Sequence, residues 1–116
     1  MTSEQIIKPW GKEVLIADEP AYGCKILSVN KGQRLSLQRH QQRDETWYVL
    51  KGNAIVTIGT IKMVLRTGNI VLVPHNVWHR LGTGKTDVQI IEVTNGYVEG
   101  DIERKEDDYG RTGQTD

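Results

Sequence analysis

Turn-forming clusters interrupt this chain at intervals too short for helices. They stand at Asp18-Glu19-Pro20, Asn30-Lys31-Gly32, Lys51-Gly52-Asn53, Gly59-Thr60, Thr67-Gly68-Asn69, Pro74-His75-Asn76 and Gly82-Thr83-Gly84. Each is a combination that favours a backbone reversal. The segments between them, Glu13–Ile16, Cys24–Val29, Trp47–Leu50, Ala54–Ile58, Lys62–Leu65, Ile70–Val73 and Val88–Val93, are short and rich in β-branched residues. Such runs read as strands. No stretch sustains apolar residues at helical spacing behind a capping residue, so the chain is expected to be all-β. About eight or nine strands joined by tight turns fit a small sandwich, barrel or jelly roll, which buries one face of each strand and limits exposed edges.

With 116 residues, the sequence is expected to form one domain over 1–116, because this is about the size of a single core. Fifteen Lys and Arg balance fifteen Asp and Glu. That leaves no net field to hold a polyanion, so a nucleic-acid partner is not expected. Cys24 is the only cysteine, which excludes an internal disulfide. No apolar run approaches the roughly 18 residues of a membrane span, so no membrane partner is expected. The start, Met-Thr-Ser-Glu-Gln, lacks the basic and apolar regions of a secretory signal, and a cytoplasmic location is the corresponding expectation. From Glu99 to Asp116 ten of eighteen residues are charged and strand formers nearly vanish. Composition alone reads that segment as a frayed tail.

The three histidines are His40, His75 and His79, and their surroundings are spaced in a telling way. Gly32, Gln38, His40, Glu45 and Gly52 are separated by five, one, four and six residues. Gln38 and His40 lie two apart on an expected strand, so their side chains leave the same face. Glu45 follows the polar turn Gln41-Gln42-Arg43-Asp44 and opens the next strand. A second segment, Gly68, Pro74, His75, Asn76 and His79, brings another imidazole to the start of a further strand. Gln38, His40, Glu45 and His79 together offer two imidazole nitrogens, a carboxylate oxygen and an amide oxygen. A set of nitrogen and oxygen donors without thiolates suits a divalent ion such as Zn, Mn, Fe, Co or Ni.

These two segments resemble the two motifs of the cupins, which implies a single-domain double-stranded β-helix with motif 1 at 32–52 and motif 2 at 68–83. Most cupins have histidine where this chain has Gln38. The string Leu35-Ser36-Leu37-Gln38-x-His40-x-x-Arg43-x-Glu45-x-Trp47 is similar to the isomerase domain of type II mannose-6-phosphate isomerases, which also carry glutamine there. That domain often follows a mannose-1-phosphate guanylyltransferase. Pro9-Trp10-Gly11, Glu13-Val14-Leu15, His79-Arg80-Leu81, Ile91-Glu92-Val93 and the tail Asp101-Ile102-x-Arg104-x-Glu106-Asp107-x-Tyr109-Gly110-Arg111 add to the likeness. The resemblance runs from about Pro9 to Arg111. It implies that the charged segment is ordered against the barrel, with only 112–116 frayed. The family has histidines where this chain has Gln41, Gln42 and Thr46, and the 116 residues resemble the isomerase part alone.

The resemblance implies a metal-dependent interconversion of mannose 6-phosphate and fructose 6-phosphate. One divalent ion, Zn first with Mn, Co, Ni, Fe or Mg as alternatives, would be held by Gln38, His40, Glu45 and His79. A sugar phosphate also needs a cationic clamp, and arginine binds two phosphate oxygens at once. Lys25, where the family also has lysine, is expected to face the cavity. Arg111, in a tail that could fold over the mouth, is expected to meet the phosphate or the enediolate. Arg39 and Arg80 alternate with ligand positions and are expected at a surface or interface. Trp10, Trp47 and Trp78 could shape the cavity, and Cys24 is expected to be a buried small side chain. Leu35 and Leu37 would be exposed on a lone barrel, which implies cover from an N-terminal strand or from the second chain of a homodimer. Two other functions fit the same frame: a sugar- or nucleotide-sugar-binding cupin without turnover, and an iron-dependent dioxygenase built on two histidines and a carboxylate.

Overall fold

A computed structural model describes residues 4–96, 98 and 100–114. Eleven strands run through them: β1 (Glu4–Lys8), β2 (Gly11–Glu19), β3 (Tyr22–Val29), β4 (Leu37–Arg39), β5 (Glu45–Lys51), β6 (Ala54–Ile58), β7 (Ile61–Leu65), β8 (Ile70–Val73), β9 (His79–Thr83), β10 (Val88–Thr94) and β11 (Glu103–Glu106). They form two sheets, one ordered β1-β2-β3-β10-β5-β8 and the other β11-β4-β9-β6-β7. No helix among the described residues is long and apolar enough to cross a membrane.

Alternation builds the core. On β5 Glu45, Trp47 and Val49 are buried while Thr46, Tyr48 and Leu50 are exposed. On β10 Val88, Ile90, Glu92 and Thr94 point inward. Trp47, Leu27, Leu81, Ile90 and Val56 are each less than 2% exposed and fill the space between the sheets, each worth about 1.5–3 kcal/mol by removal from water. The expected turns mostly fall in place. Gly59, at a φ of 61°, reverses the chain between β6 and β7. Gly52 has a φ of 80°, and a side chain there would overlap the Asp87 carbonyl oxygen. Only glycine meets both demands.

Several expectations are corrected. Asp18 and Glu19 belong to β2, and the reversal falls at Pro20 and Ala21. Gly82 and Thr83 end β9, so the bend begins at Gly84. β1 and β11 were not legible as strands. Glu-Arg-Lys-Glu becomes β11 because it lies along the open edge of β4, where Arg104 pairs with Gln38. Backbone pairing there overrides a weak strand propensity. The tail is thus ordered against the barrel: residues 111–114 form a turn closed by the Gln114 amide on the Arg111 carbonyl, Arg104 Nη1 donates to the Gln114 carbonyl at 3.0 Å, and Thr115 and Asp116 lie outside the described residues.

Leu35 is not exposed. Its amide donates to the Leu81 carbonyl, and the side chain joins the core at 7% exposure. It lies before β4, beside the fully buried Ser36, where strict strand alternation does not hold. Leu37 is half-buried. Exposed apolar side chains occur instead on the six-stranded sheet, among them Ile70, Leu72, Tyr48 and Val93. Arg80 is not a surface residue either. At 9% exposure it donates through Nε to the Leu35 carbonyl and lies 3.4 Å from Glu106, beneath the tail.

Candidate functional site

Three side chains converge between the two sheets. His40 follows β4, Glu45 opens β5 and His79 opens β9, and one donor atom from each lies within 4.8 Å of the others. The backbone brings them together directly, since Gln38 of β4 is the register partner of His79 and Thr94 of β10 that of Glu45. All three are at least 97% buried.

Hydrogen bonds set the tautomers. His40 Nδ1 lies 2.6 Å from the Asp101 carbonyl, and His79 Nδ1 lies 3.0 Å from the Val77 carbonyl. A carbonyl only accepts, so each ring carries its proton on Nδ1 and turns the Nε2 lone pair inward. His40 Nε2 lies 3.1 Å from Glu45 Oε2, and His79 Nε2 lies 4.0 Å from Glu45 Oε1. His79 Nε2 is buried and makes no hydrogen bond. A buried acceptor without a donor costs roughly 1–3 kcal/mol. The cost is removed if a cation sits among the three donors, so the residues present fit a metal ion. Burial lowers the His79 pKa despite the opposing charge of Glu45, which keeps the ring neutral and its lone pair available. Burial works to raise the Glu45 carboxyl, but the adjoining imidazoles and the Arg43 guanidinium, which donates to Oε2, outweigh it and hold Glu45 well below the usual carboxylate range. Trp47 Nε1 donates to Glu45 Oε1 at 3.0 Å and orients the carboxylate. Such outer hydrogen bonds tune a ligand as well as hold it.

Gln38 reaches the same point differently from expectation. Its Nε2 lies 3.4 Å from His40 Nε2, and its Oε1 accepts from Ser36 Oγ at 2.7 Å. A cavity of about 150 Å³ opens beside this group, and Lys25, Gln38, His40 and Arg111 all line it. Lys25 Nζ lies 3.3 Å from Glu13 Oε2. Arg111 is gripped twice by Asp107, at 2.8 and 3.1 Å. The tail supports the site as well, because the Asp101 carboxylate accepts from the backbone amides of Gln41 and Gln42 and its carbonyl from His40.

Not every expected residue arrives. His75 pairs with Asp44 at 2.8 Å on the surface. Trp78 lies under the Arg39 guanidinium, 4.5 Å from its ring centroid, and does not line the cavity. Trp10 lines the cavity, and Trp47 is buried beside His79 with ring centroids 5.7 Å apart. Cys24 is half-buried rather than buried, on the wall of a second cavity of about 160 Å³.

Two charged residues at the site lay outside the sequence expectation. Arg43, 9% exposed, donates through Nε to Glu45 Oε2 at 2.9 Å, and its Nη2 lies 3.1 Å from His40 Nε2. A stretch read as a polar turn hid it, although its position two residues before Glu45 was a signal. Glu92, 6% exposed, lines both cavities with Lys25 and Arg43. Its place in alternation with Val88 and Ile90 was the legible signal for an inward carboxyl.

Two antiparallel sheets enclosing a cluster of two histidines and a glutamate define a cupin. The backbone superposes on a Rhodospirillum rubrum protein described as a cupin-2 domain with a TM-score of 0.74 and 14% identity, covering 82% of this chain and 70% of that one. Residues 1–107 match the model of the mannose-6-phosphate isomerase C-terminal family. The chain belongs to that family. It is 39% identical over 113 residues to the alginate biosynthesis protein AlgA of Pseudomonas aeruginosa, covering 95% of this chain and 24% of that protein. It is also 36% identical over 114 residues to a mannose-1-phosphate guanylyltransferase of Salmonella montevideo, covering 96% of this chain and 24% of that protein. The chain spans about a quarter of the length of these curated relatives.

Proposed function

We propose that the chain is a metal-dependent aldose–ketose isomerase that interconverts mannose 6-phosphate and fructose 6-phosphate through an enediolate. The observation that carries this is the convergence of His40 Nε2, His79 Nε2 and the Glu45 carboxylate beside a cavity lined by Lys25 and Arg111. His40, Glu45 and His79 would hold one divalent ion, with zinc the first choice for this donor set. The bound ion would supply Lewis-acid stabilisation of negative charge on the sugar oxygens. Rotation of the Gln38 amide exchanges its two terminal atoms, so Nε2 could donate to Ser36 Oγ while Oε1 joins the ligands. Lys25 and Arg111 orient the phosphorylated sugar by charge, Arg111 with its fork already aligned by Asp107.

The positions where the family-like pattern loses histidines support retained turnover. Thr46 is exposed on β5, on the face opposite Glu45, and Gln41 and Gln42 are exposed in the bend before that strand. None of the three lines the cavity with His40. The reading also includes a homodimer joined through the apolar outer face of the six-stranded sheet, which sedimentation would test. The decisive experiment is a coupled assay for fructose 6-phosphate with metal-loaded protein. Activity that falls in Gln38→Ala and disappears in His79→Ala supports the isomerase. Sugar-phosphate binding without conversion would support a binding module instead, and oxygen consumption with iron would support a dioxygenase.

A further inference from the structure

The ion cluster leaves one buried carboxyl without a task. Glu92 sits on β10 between two inward neighbours, register partner of Lys25 on β3 and of Trp47 on β5. Thr94, two residues on and on the same inward face, is the partner of Glu45. Glu92 is therefore one step along the sheet from the ion cluster, on a wall common to both cavities. Among the described residues no hydrogen bond or ion pair reaches its side chain, whereas Glu13 holds Lys25 and Glu45 holds Arg43. A buried carboxyl without partners destabilises a fold, and such groups concentrate where a reaction needs a proton acceptor.

The other candidates for moving a proton are already engaged. Lys25 is paired with Glu13, Arg43 stays protonated at all working pH values, and the lone pairs of His40 and His79 face the ion position. Burial, with the negative charge of Glu45 added, pushes the Glu92 carboxyl up to about 8, against the pull of Arg43 and Lys25. A group that titrates near working pH can both take and return a proton.

We propose that Glu92 is the catalytic base and acid that carries the substrate proton between C2 and C1 of the sugar, an inference that rests on the isomerase reading above. In the forward direction a Glu92 carboxylate oxygen takes the proton from C2. The C2–H electron pair becomes the C1–C2 double bond, and the carbonyl π pair moves to O1, leaving an enediolate. The Glu92 O–H then returns its proton to C1, the hydrogen on O2 passes to O1, and C2 becomes the carbonyl. Glu92 ends as it began.

The test compares metal-loaded wild type, Glu92→Gln and Glu92→Asp in three measurements. These are ion content, mannose 6-phosphate binding by calorimetry, and conversion in deuterium oxide followed by proton NMR, which reads isotope entering at C1 and C2. The Gln variant should keep its ion and bind the sugar like wild type, while conversion and isotope entry fall by about 10²- to 10⁴-fold. The Asp variant should regain part of both. An active wild type with a Gln variant of nearly equal turnover and exchange would overturn the role of Glu92 and leave the isomerase standing. A metal-loaded wild type that neither converts nor exchanges would remove the isomerase and the proton carrier together. Loss of the ion or of sugar binding in both variants would show a structural role and overturn the proposal.

Discussion

Glu92→Gln should change the way stability depends on pH, in a direction the geometry dictates. The substitution keeps the size of the side chain and removes its charge. The Glu92 carboxyl has an ordinary value of 4.5 and is pushed up to about 8 in the folded chain. Between those values the folded protein holds a proton that the unfolded chain has released. Raising the pH in that window therefore favours unfolding. Folding stability is retained in full below 4.5 and lost progressively as the pH rises through about 8. At roughly 1.4 kcal/mol for each pH unit, the whole window amounts to about 5 kcal/mol. The charged groups that face Glu92 are Lys25 on β3, Glu13 on β2, Glu45 on β5 and Arg43 in the preceding turn, with Lys8 and Arg104 on the same cavity wall. All of them are present in both proteins, so the difference between the two isolates Glu92. Urea unfolding with a chelator present, measured from about pH 5 to about pH 9, gives the stabilities by linear extrapolation. The Gln variant should equal wild type at the acid end and exceed it by several kcal/mol at the alkaline end. Parallel curves for the two proteins would refute the account of Glu92 as a buried carboxyl held neutral by desolvation.

Three further outcomes follow from the same structure. Trp47→Phe removes the donor to Glu45 Oε1 while keeping most of the ring packing, and a titration with zinc should show affinity reduced by about 10- to 100-fold. Leu81→Ala opens a cavity at a fully buried position between the sheets, and chemical denaturation should register a loss of about 2–5 kcal/mol. Gly52→Ala combines a φ of 80° with overlap on the Asp87 carbonyl, so it should lower the melting temperature more than Gly68→Ala, whose added carbon meets nothing within 4 Å.

The seven apolar runs that the turn residues separate all appear as strands, because a two-residue side-chain period and the backbone needs of glycine and proline are local properties. The candidate donor cluster was equally legible. Spacing put Gln38 and His40 on one face and placed Glu45 and His79 at strand starts, and these are the positions at which β4, β5 and β9 present them. The exceptions have a common cause. Leu35 and Arg80 turned inward because the tail and the neighbouring carbonyls receive them, which no local pattern encodes. Arg43 looked like a turn residue and became the partner of Glu45. Glu92 alternated with buried residues, yet only the register with Lys25 and Trp47 revealed that it faces a cavity.

For this protein, then, strand periodicity, turn chemistry and donor spacing are properties of the amino-acid sequence, and they suffice for an all-β chain and for His40, Glu45 and His79 as a candidate cluster, while the cupin architecture came from the resemblance of the two motifs. The tertiary structure alone decided that a charged tail is a strand, that Asp101 orients His40, and that a carboxyl on β10 shares a cavity wall with Gln38 and His40. The division has a physical reason. Periodicity acts over neighbouring residues, whereas a buried charge takes its character from groups far away in the chain that only folding brings within reach.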